Sequence, residues 1–201
     1  MAMTVASLRH GIAAELAALE GAHQKLNELD GQVGDGDLGI TLLKAFRELD
    51  RLKDTLPPDL GQAFMTAGAA VGKVSSSSFG TLLATSLMTA AKATKGKDSL
   101  PWSEVPALLD AAVAAMSARG KANLGDKTVL DALDAASKAA AGTDDPAEMV
   151  RRALAGVDAA LAAFRDKPNR IGRARIFADK TIGLDDPGMV ALRDMVAALD
   201  G

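Results

Sequence analysis

Apolar residues recur every three or four positions through most of the chain, and this spacing constrains the fold more than any other feature. Side chains spaced in this way lie on one face of an α-helix, so each stripe predicts a helix with one buried face. Two such stripes cover residues 150–164 and 189–199. A third stripe, near the N-terminus, runs through Val5, Leu8, Ile12, Leu16, Leu19, His23 and Leu26.

The same periodicity continues between these stripes and indicates about eight helices. Further helix-like runs lie near residues 39–53, 58–73, 80–95, 103–118 and 127–141. An aspartate directly before a proline, as at Asp145 and Asp186, is typical of a helix that begins at that proline. The alternation of apolar and polar residues that indicates strands is scarce. We therefore predict an all-α, up-and-down bundle that forms a single domain over residues 1–201.

The composition indicates what kind of core this bundle has. Alanine accounts for 41 of the 201 residues and aromatic residues for only 3%, so small and aliphatic side chains must fill the core. Small side chains allow helices to approach each other closely. The chain has no cysteine, which excludes disulfides, thiolate catalysis and cysteine-bound metals.

Charge and hydropathy exclude several classes of partner. A net charge of −3 and a shortage of aromatic side chains argue against binding to nucleic acids. No apolar run reaches the length of a membrane-spanning helix. The first ten residues lack the basic and then apolar pattern of a secretory signal. We expect a cytoplasmic protein with no membrane partner.

Three aspartates separated by glycines form the most unusual predicted loop. Asp30, Asp35 and Asp37 lie within eight residues of one another, and clustered carboxylates repel each other unless a cation compensates them. Oxygen ligands without histidine or cysteine suit Mg²⁺ or Ca²⁺. The alternative is an acidic turn that ends with Asp37 as the N-cap of the second helix.

Two other loops have the chemistry of phosphate binding. Residues 72–80 place four serines before a helix, where backbone N–H groups favour an anion. The second loop is rich in cations that can pair with phosphates, namely Lys167, Arg170, Arg173, Arg175 and Lys180. Each loop also has a plain interpretation, as a capped helix connection and as a solvated basic face. In an up-and-down bundle, alternate loops lie at the same end and can form one site.

Four motifs, in order along the chain, resemble the L subunit of dihydroxyacetone kinases. They are residues 34–41 (GDGDLGIT), 125–131 (GDKTVLD), 172–174 (GRA) and 182–188 (IGLDDPG). The resemblance implies an eight-helix, barrel-like bundle with a nucleotide site at one end. It also implies a kinase subunit that transfers a phosphoryl group to a short ketose, such as dihydroxyacetone or erythrulose, held by a separate K subunit.

The resemblance also implies the residues of the site. Two Mg²⁺ ions would be bound by Asp30, Asp35 and Asp37, and no residue of this chain would act as a nucleophile. The ADP or ATP would be contacted by Leu38, Gly39, Ile40, Thr41, Val74, Ser75, Gly120, Val129, Arg173, Asp186, Pro187 and Gly188. The phosphoryl donor is either exchangeable ATP or a protein of the phosphotransferase system, and a homodimer is left open.

The chain departs from the family pattern at two places. Leu38 replaces a histidine that is common in the family, and the serine loop has Lys73, Ser76 and Ser77 in place of Gly, Gly and Pro. These departures leave the ketose and the donor open. An alternative function is a nucleotide-loaded module that docks on a transcription regulator, and a third is a bundle with no ligand.

Overall fold

The computed structural model of the protein describes residues 2–75 and 77–200. These residues include the α-helices α1 (Val5–Val33), α2 (Leu38–Leu52), α3 (Leu60–Val74), α4 (Ser78–Ala93), α5 (Val105–Gly120), α6 (Val129–Ala140), α7 (Pro146–Phe164) and α8 (Pro187–Ala198). Short 3₁₀ helices cover Lys53–Thr55, Trp102–Glu104 and Ala174–Thr181. We call the last of these the 3₁₀ segment.

The eight helices form a closed ring. Each helix packs against the next one along the chain, and α1 also packs against α8. Because consecutive helices run in opposite directions, the connections α1–α2, α3–α4, α5–α6 and α7–α8 all lie at one end. The predictions of an all-α fold and of an up-and-down, barrel-like bundle are confirmed. Within the described residues, no helix has the length and apolar character needed to cross a membrane.

Two short strands were not predicted. Strand β1 (Ala2–Thr4) pairs antiparallel with β2 (Ser99–Pro101), with Met3 opposite Leu100. Both of these side chains are buried. Strands of three residues are too short to produce a readable alternation of apolar and polar positions. The pair lies at the N-terminal end of α1, which is the end opposite to the four connections.

Small residues bring neighbouring helices close together, as the composition predicted. A Cβ atom added at Gly156 in α7 would lie 2.7 Å from the Ala135 carbonyl oxygen and 2.8 Å from the Ala139 Cβ in α6. At Gly61 in α3, an added Cβ would lie 2.6 Å from the Cα of Lys95. No side chain larger than hydrogen fits at these contacts without movement of the backbone.

Candidate functional site

A cavity of about 500 Å³ opens among the four connections at one end of the bundle. Its wall includes side chains from each of these connections, so the fold brings together loops that are far apart in sequence. The predicted site residues that line it are Asp30, Asp35, Asp37, Leu38, Gly120, Val129, Arg173, Asp186, Pro187 and Gly188.

The three aspartates of the first loop form a compact cluster. One carboxylate oxygen from each of Asp30, Asp35 and Asp37 lies within 4.8 Å of the other two. The loop turns through Gly36, whose φ of +74° is disfavoured for other residues. The backbone N–H of Asp37 donates a 3.0 Å hydrogen bond to Asp30 Oδ2. At Gly34, an added Cβ would overlap the Asp30 carboxylate.

The Asp37 side chain distinguishes the two interpretations of this loop. Asp37 is the N-cap residue of α2, but among the described residues its carboxylate makes no capping hydrogen bond. The N-cap position was therefore predicted correctly, whereas the carboxylate belongs to the cluster. Three carboxylates with no nitrogen or sulfur ligand fit a hard divalent cation such as Mg²⁺. Such a cation could be held by Asp30, Asp35 and Asp37.

The basic loop reaches the acidic cluster through one residue. The Arg173 guanidinium contacts the Asp35 carboxylate, and both side chains lie on the cavity wall. Arg170, Arg175, Lys167 and Lys180 do not line the cavity. A second wall cation, Arg119 in the last turn of α5, was not predicted as a site residue. The cavity therefore combines a cluster of three carboxylates with two guanidinium groups that can pair with phosphate oxygens.

The serine loop faces the cavity with its second half. Ser77 is the N-cap of α4, and its Oγ accepts a 3.1 Å hydrogen bond from the Gly80 backbone. Ser77, Ser78 and Thr81 line the cavity. The first backbone N–H groups of a helix have no acceptor in a preceding turn, so this end of α4 favours an anion. The serine cap and the N–H groups that are available to an anion thus lie at the same end of α4.

Two predicted contacts of this loop do not reach the wall. Val74 ends α3, and Ser75 is buried behind the loop, where its Oγ lies 3.4 Å from Ser77 Oγ. An added Cβ at Gly80 would overlap Ser75. Lys73 is exposed on the last turn of α3 and also lies off the wall. Ser76 lies outside the described residues.

Only part of the first turn of α2 lies on the cavity wall. Leu38 lines the cavity, but Gly39, Ile40 and Thr41 do not. Gly39 lies directly against α1, where an added Cβ would overlap the His23 carbonyl. In the same turn, the backbone N–H of Ile40 donates to Asn27 Oδ1 at 3.0 Å. These contacts hold α2 against α1, and the residues that make them do not line the cavity.

The third connection is held in shape by Asp131. Its carboxylate accepts hydrogen bonds from the backbone N–H groups of Gly125 at 2.6 Å and Thr128 at 2.8 Å. Thr128 is the N-cap of α6 and lies on the cavity wall beside Val129. The motif at residues 125–131 is therefore a helix start whose acidic residue shapes the loop.

A buried lysine in the same motif joins the third connection to the fourth. Lys127 is only 1% exposed, and its Nζ donates to the carbonyl oxygens of Arg165, Lys167 and Thr181 at 3.1, 2.8 and 2.9 Å. Burial lowers the pKa of Lys127, which the nearby Asp186 opposes. The sequence does not indicate this role, because a lysine in a loop is usually exposed.

Asp186 connects this network to the cavity wall. Asn169 Nδ2 donates to the Lys127 carbonyl at 2.8 Å and to Asp186 Oδ1 at 2.7 Å. Asp186 is the N-cap of α8, as predicted, and its Oδ2 accepts from Met189 N at 3.0 Å. Burial raises the pKa of Asp186 to about 6, although the hydrogen bonds from Met189 and Asn169 act in the opposite direction.

Several wall residues were not predicted, because no local sequence pattern distinguishes them from core residues. Val33, Phe79, Leu82, Ala122, Leu130 and Ile171 lie on the wall as apolar residues next to predicted loops. Their spacing is that of core residues, and only the ring closure directs them to the cavity. His23, which belongs to the predicted apolar stripe of the N-terminal helix, is half-buried, and its Nδ1 lies 3.1 Å from the Leu19 carbonyl oxygen.

Comparison with known proteins identifies the family. Residues 32–200 match the DAK2 domain. The chain is 33% identical over 179 residues to the ADP-binding subunit DhaL of PEP-dependent dihydroxyacetone kinase 2 from Listeria innocua, covering 86% of this chain and 82% of that one. It is also 33% identical over 191 residues to human triokinase/FMN cyclase, which covers 91% of this chain but only 32% of the relative.

A solved structure agrees with this result. The fold matches the dihydroxyacetone kinase of C. freundii, solved in complex with AMP-PNP and Mg²⁺, with a TM-score of 0.76 and 26% identity. The match covers all of this chain and 34% of that one. The relatives are phosphotransferases by name, so the predicted enzyme class is confirmed. The chain therefore belongs to the DAK2 domain family.

Proposed function

We propose that the chain is the ADP/ATP- and Mg²⁺-binding subunit of a dihydroxyacetone-type kinase. It transfers a phosphoryl group to a short ketose, dihydroxyacetone or a related sugar such as erythrulose, on a separate K-type subunit. The observation that carries this proposal is the meeting of an acidic cluster, two arginines and the start of α4 in one cavity. Support comes from the ADP-binding subunit DhaL of Listeria innocua, 82% of whose length aligns with this chain.

The cavity suits a nucleotide in size and in chemistry. Its volume of about 500 Å³ is within the range of about 300–1,000 Å³ that is usual for small-molecule sites. Apolar wall residues such as Val129 and Pro187 offer a surface for a base, and each of the four connections also contributes polar groups to the wall. The predicted nucleotide contacts Leu38, Gly120, Arg173 and Gly188 lie on the wall, where they can contact a bound nucleotide.

The chain contributes positioning and charge neutralisation, which are the main requirements of phosphoryl transfer. Two Mg²⁺ ions, when bound, would neutralise the phosphate oxygens. Asp30, Asp35 and Asp37 would bind these ions through their carboxylates. Arg173 lies beside Asp35 and is close enough to pair with a phosphate at the cluster. The N-terminal turn of α4 accommodates the remaining negative charge.

The phosphoryl donor of the proposed kinase is either a protein of the phosphotransferase system or ATP. A protein of the phosphotransferase system would recharge a retained ADP, whereas exchangeable ATP would bring its own phosphoryl group. The two are distinguished by mass spectrometry of the nucleotide that remains after purification. A stoichiometric ADP that persists through dialysis supports the protein donor, and an empty site that binds ATP reversibly supports ATP.

Calorimetry of ADP binding with and without MgCl₂ tests the cation site. Asp37→Asn retains the shape of the N-cap but removes one carboxylate, and we expect Mg²⁺-dependent ADP affinity to fall by about 100-fold or more, since even outer-shell partners are worth 10- to 100-fold. Asp98→Asn is the matched control, because Asp98 is exposed and outside the cavity wall. Equal affinity in the two variants would contradict the assignment.

Product formation separates the kinase from the alternative. The chain is mixed with a K-type subunit, dihydroxyacetone or erythrulose, and either ATP or a phosphotransferase donor. Sugar phosphate that depends on the chain supports the kinase. Binding of ADP without sugar phosphate under any donor supports a nucleotide-loaded module that docks on a transcription regulator.

A further inference from the structure

The 3₁₀ segment presents exposed apolar side chains beside the cavity. Arg173 and Ala174, which precede and begin this segment, are on the cavity wall. Directly after them, Ile176 is 79% exposed and Phe177 is 36% exposed. Ile182, just beyond the segment, is 45% exposed. Several large apolar groups in one short stretch are unusual on a surface and are typical of an interaction site.

The same stretch is strongly basic. Residues 165–182 contain six Lys and Arg side chains and two aspartates, although the whole chain has a net charge of −3. Arg170, Arg175 and Lys180 are exposed, and none of them forms an ion pair within residues 2–75 and 77–200. These cations therefore flank the exposed apolar side chains in the sequence, and their charge is available to an acidic partner.

The backbone holds this surface in an unfavourable conformation. Ala178 has φ +46° and ψ −123°, a region that costs a non-glycine residue about 1–3 kcal/mol. Thr181, which is fully buried, opposes this cost. Its Oγ1 donates to the Ala178 carbonyl at 2.8 Å and accepts from Asn169 N at 2.8 Å.

Lys127 adds a third bond by donating to the Thr181 carbonyl. The segment is thus anchored from below while its apolar side chains stay outside. A surface that is ordered before it binds loses less entropy on association.

We propose that Arg175, Ile176, Phe177 and Lys180 form the docking surface for an acidic face of the ketose-carrying partner chain. The inference rests on the proposed function, because phosphoryl transfer to a sugar on another chain requires that chain to meet the cavity mouth. The basic charge steers an acidic partner and increases its association rate. Ile176 and Phe177 then supply the apolar contact. A membrane would cover the mouth instead of delivering a sugar to it.

Charge reversal tests the electrostatic part of this surface. The probe is a purified K-type subunit from the organism that encodes this chain, and its binding is measured by surface plasmon resonance at two salt concentrations. For the double variant Arg175→Glu/Lys180→Glu we expect about a tenfold weaker affinity, mainly through slower association. Lys95→Glu is the control, because Lys95 is exposed at the other end of the bundle. Equal effects of both variants would overturn the proposal.

A second pair of variants tests the apolar part. Ile176→Ser should accelerate dissociation of the partner about tenfold, as expected for an apolar anchor. Met65→Ser is the matched control, because Met65 is 51% exposed on α3. Faster dissociation in Met65→Ser, or none in Ile176→Ser, would contradict the proposed anchor.

Two further measurements separate this inference from other outcomes. ADP binding in the presence of MgCl₂ must be unchanged in the surface variants. If the unaltered chain does not bind ADP, the proposed function fails, whereas intact ADP binding with partner affinity insensitive to Arg175→Glu/Lys180→Glu overturns only the docking surface. Binding to phosphatidylserine vesicles that these charge reversals abolish, with partner affinity intact, would assign the segment to a membrane.

Discussion

At the scale of single residues, Lys127 serves the cavity without lining it. Its ammonium group has three donors, and each one meets a backbone carbonyl from the α7–α8 connection. This match compensates for burial of a charge that otherwise costs several kcal/mol. Through Asn169 the network reaches Asp186 on the wall. The shape of the cavity therefore depends on a residue that a ligand does not contact.

Glu15 is a buried acid that has no such compensation. It is 6% exposed in α1, and its Oε2 has no hydrogen-bond partner among the described residues. Burial raises the pKa of Glu15 from its usual 4.5 to about 8. Between pH 4.5 and 8 the unfolded chain loses this proton while the folded chain keeps it. The free energy of unfolding must then fall as the pH rises through this window.

Glu15→Gln should remove this dependence. At pH 8.5 we expect the variant to be more stable than the wild type by on the order of 5 kcal/mol, and the difference should approach zero below the usual pKa of the acid. Urea unfolding at a series of pH values measures it. Glu28→Gln, at an exposed position of the same helix, should leave the pH slope unaltered. Parallel curves for wild type and Glu15→Gln would contradict the raised pKa.

At the scale of helices, the α6–α7 contact depends on glycine and alanine. The predicted stripe on α7 ran through Val150 and Leu154, but the buried positions include Met149 and Ala153, with Val157 common to both sets. The buried face is rotated because Gly156 and small alanines let α6 come close on one side. Hydropathy alone favours the larger side chains, which here lie at the edge of the contact.

Gly156→Ala tests this close approach. The added methyl group would lie 2.7 Å from the Ala135 carbonyl oxygen, so we expect a loss of about 1–3 kcal/mol of stability from overpacking. Gly21→Ala is the control, because nothing lies within 4 Å of its added Cβ, and it should gain about 0.5–1 kcal/mol from helix propensity. Chemical denaturation measures both changes. Stabilisation by both substitutions would contradict the packing account.

At the scale of the whole molecule, ring closure turns four separate loops into one site. Each loop alone has a plain structural explanation, as a cap or a helix connection. The closed bundle places the loops around one cavity, so a ligand there contacts segments from almost the full length of the chain. Ligand binding then stabilises the folded state as a whole against unfolding.

Hydrogen exchange tests this coupling. ADP with MgCl₂ should slow exchange together in residues 30–38, 77–82, 119–129 and 171–188. Residues 95–101, at the opposite end, should change little. At a ligand concentration of 100 times the Kd, the free energy of unfolding should rise by about 2.7 kcal/mol. Protection confined to one loop, or an unchanged stability, would contradict a single shared site.

The sequence could predict part of the site and not the rest. Asp30, Asp35 and Asp37 are close in sequence, so their cluster was predictable from one loop. Arg119 lies in the last turn of α5 and outside the four motifs, and its position in the sequence does not show that its side chain reaches the wall. Ser75 and Ser77 belong to the same serine run, and only the packing of Ser75 against Gly80 decides which of them faces the cavity.

Local sequence patterns were enough to predict about eight helices, the helix starts at Asp145 and Asp186, and the acidic loop. These features depend on the spacing of neighbouring residues along the chain, which sequence contains directly. The folded structure was needed to show which loop residues line the cavity, which face of α7 is buried and why Lys127 is buried. Those outcomes depend on contacts between segments far apart in sequence, where a hydrogen-bond partner or the absence of a Cβ sets the arrangement.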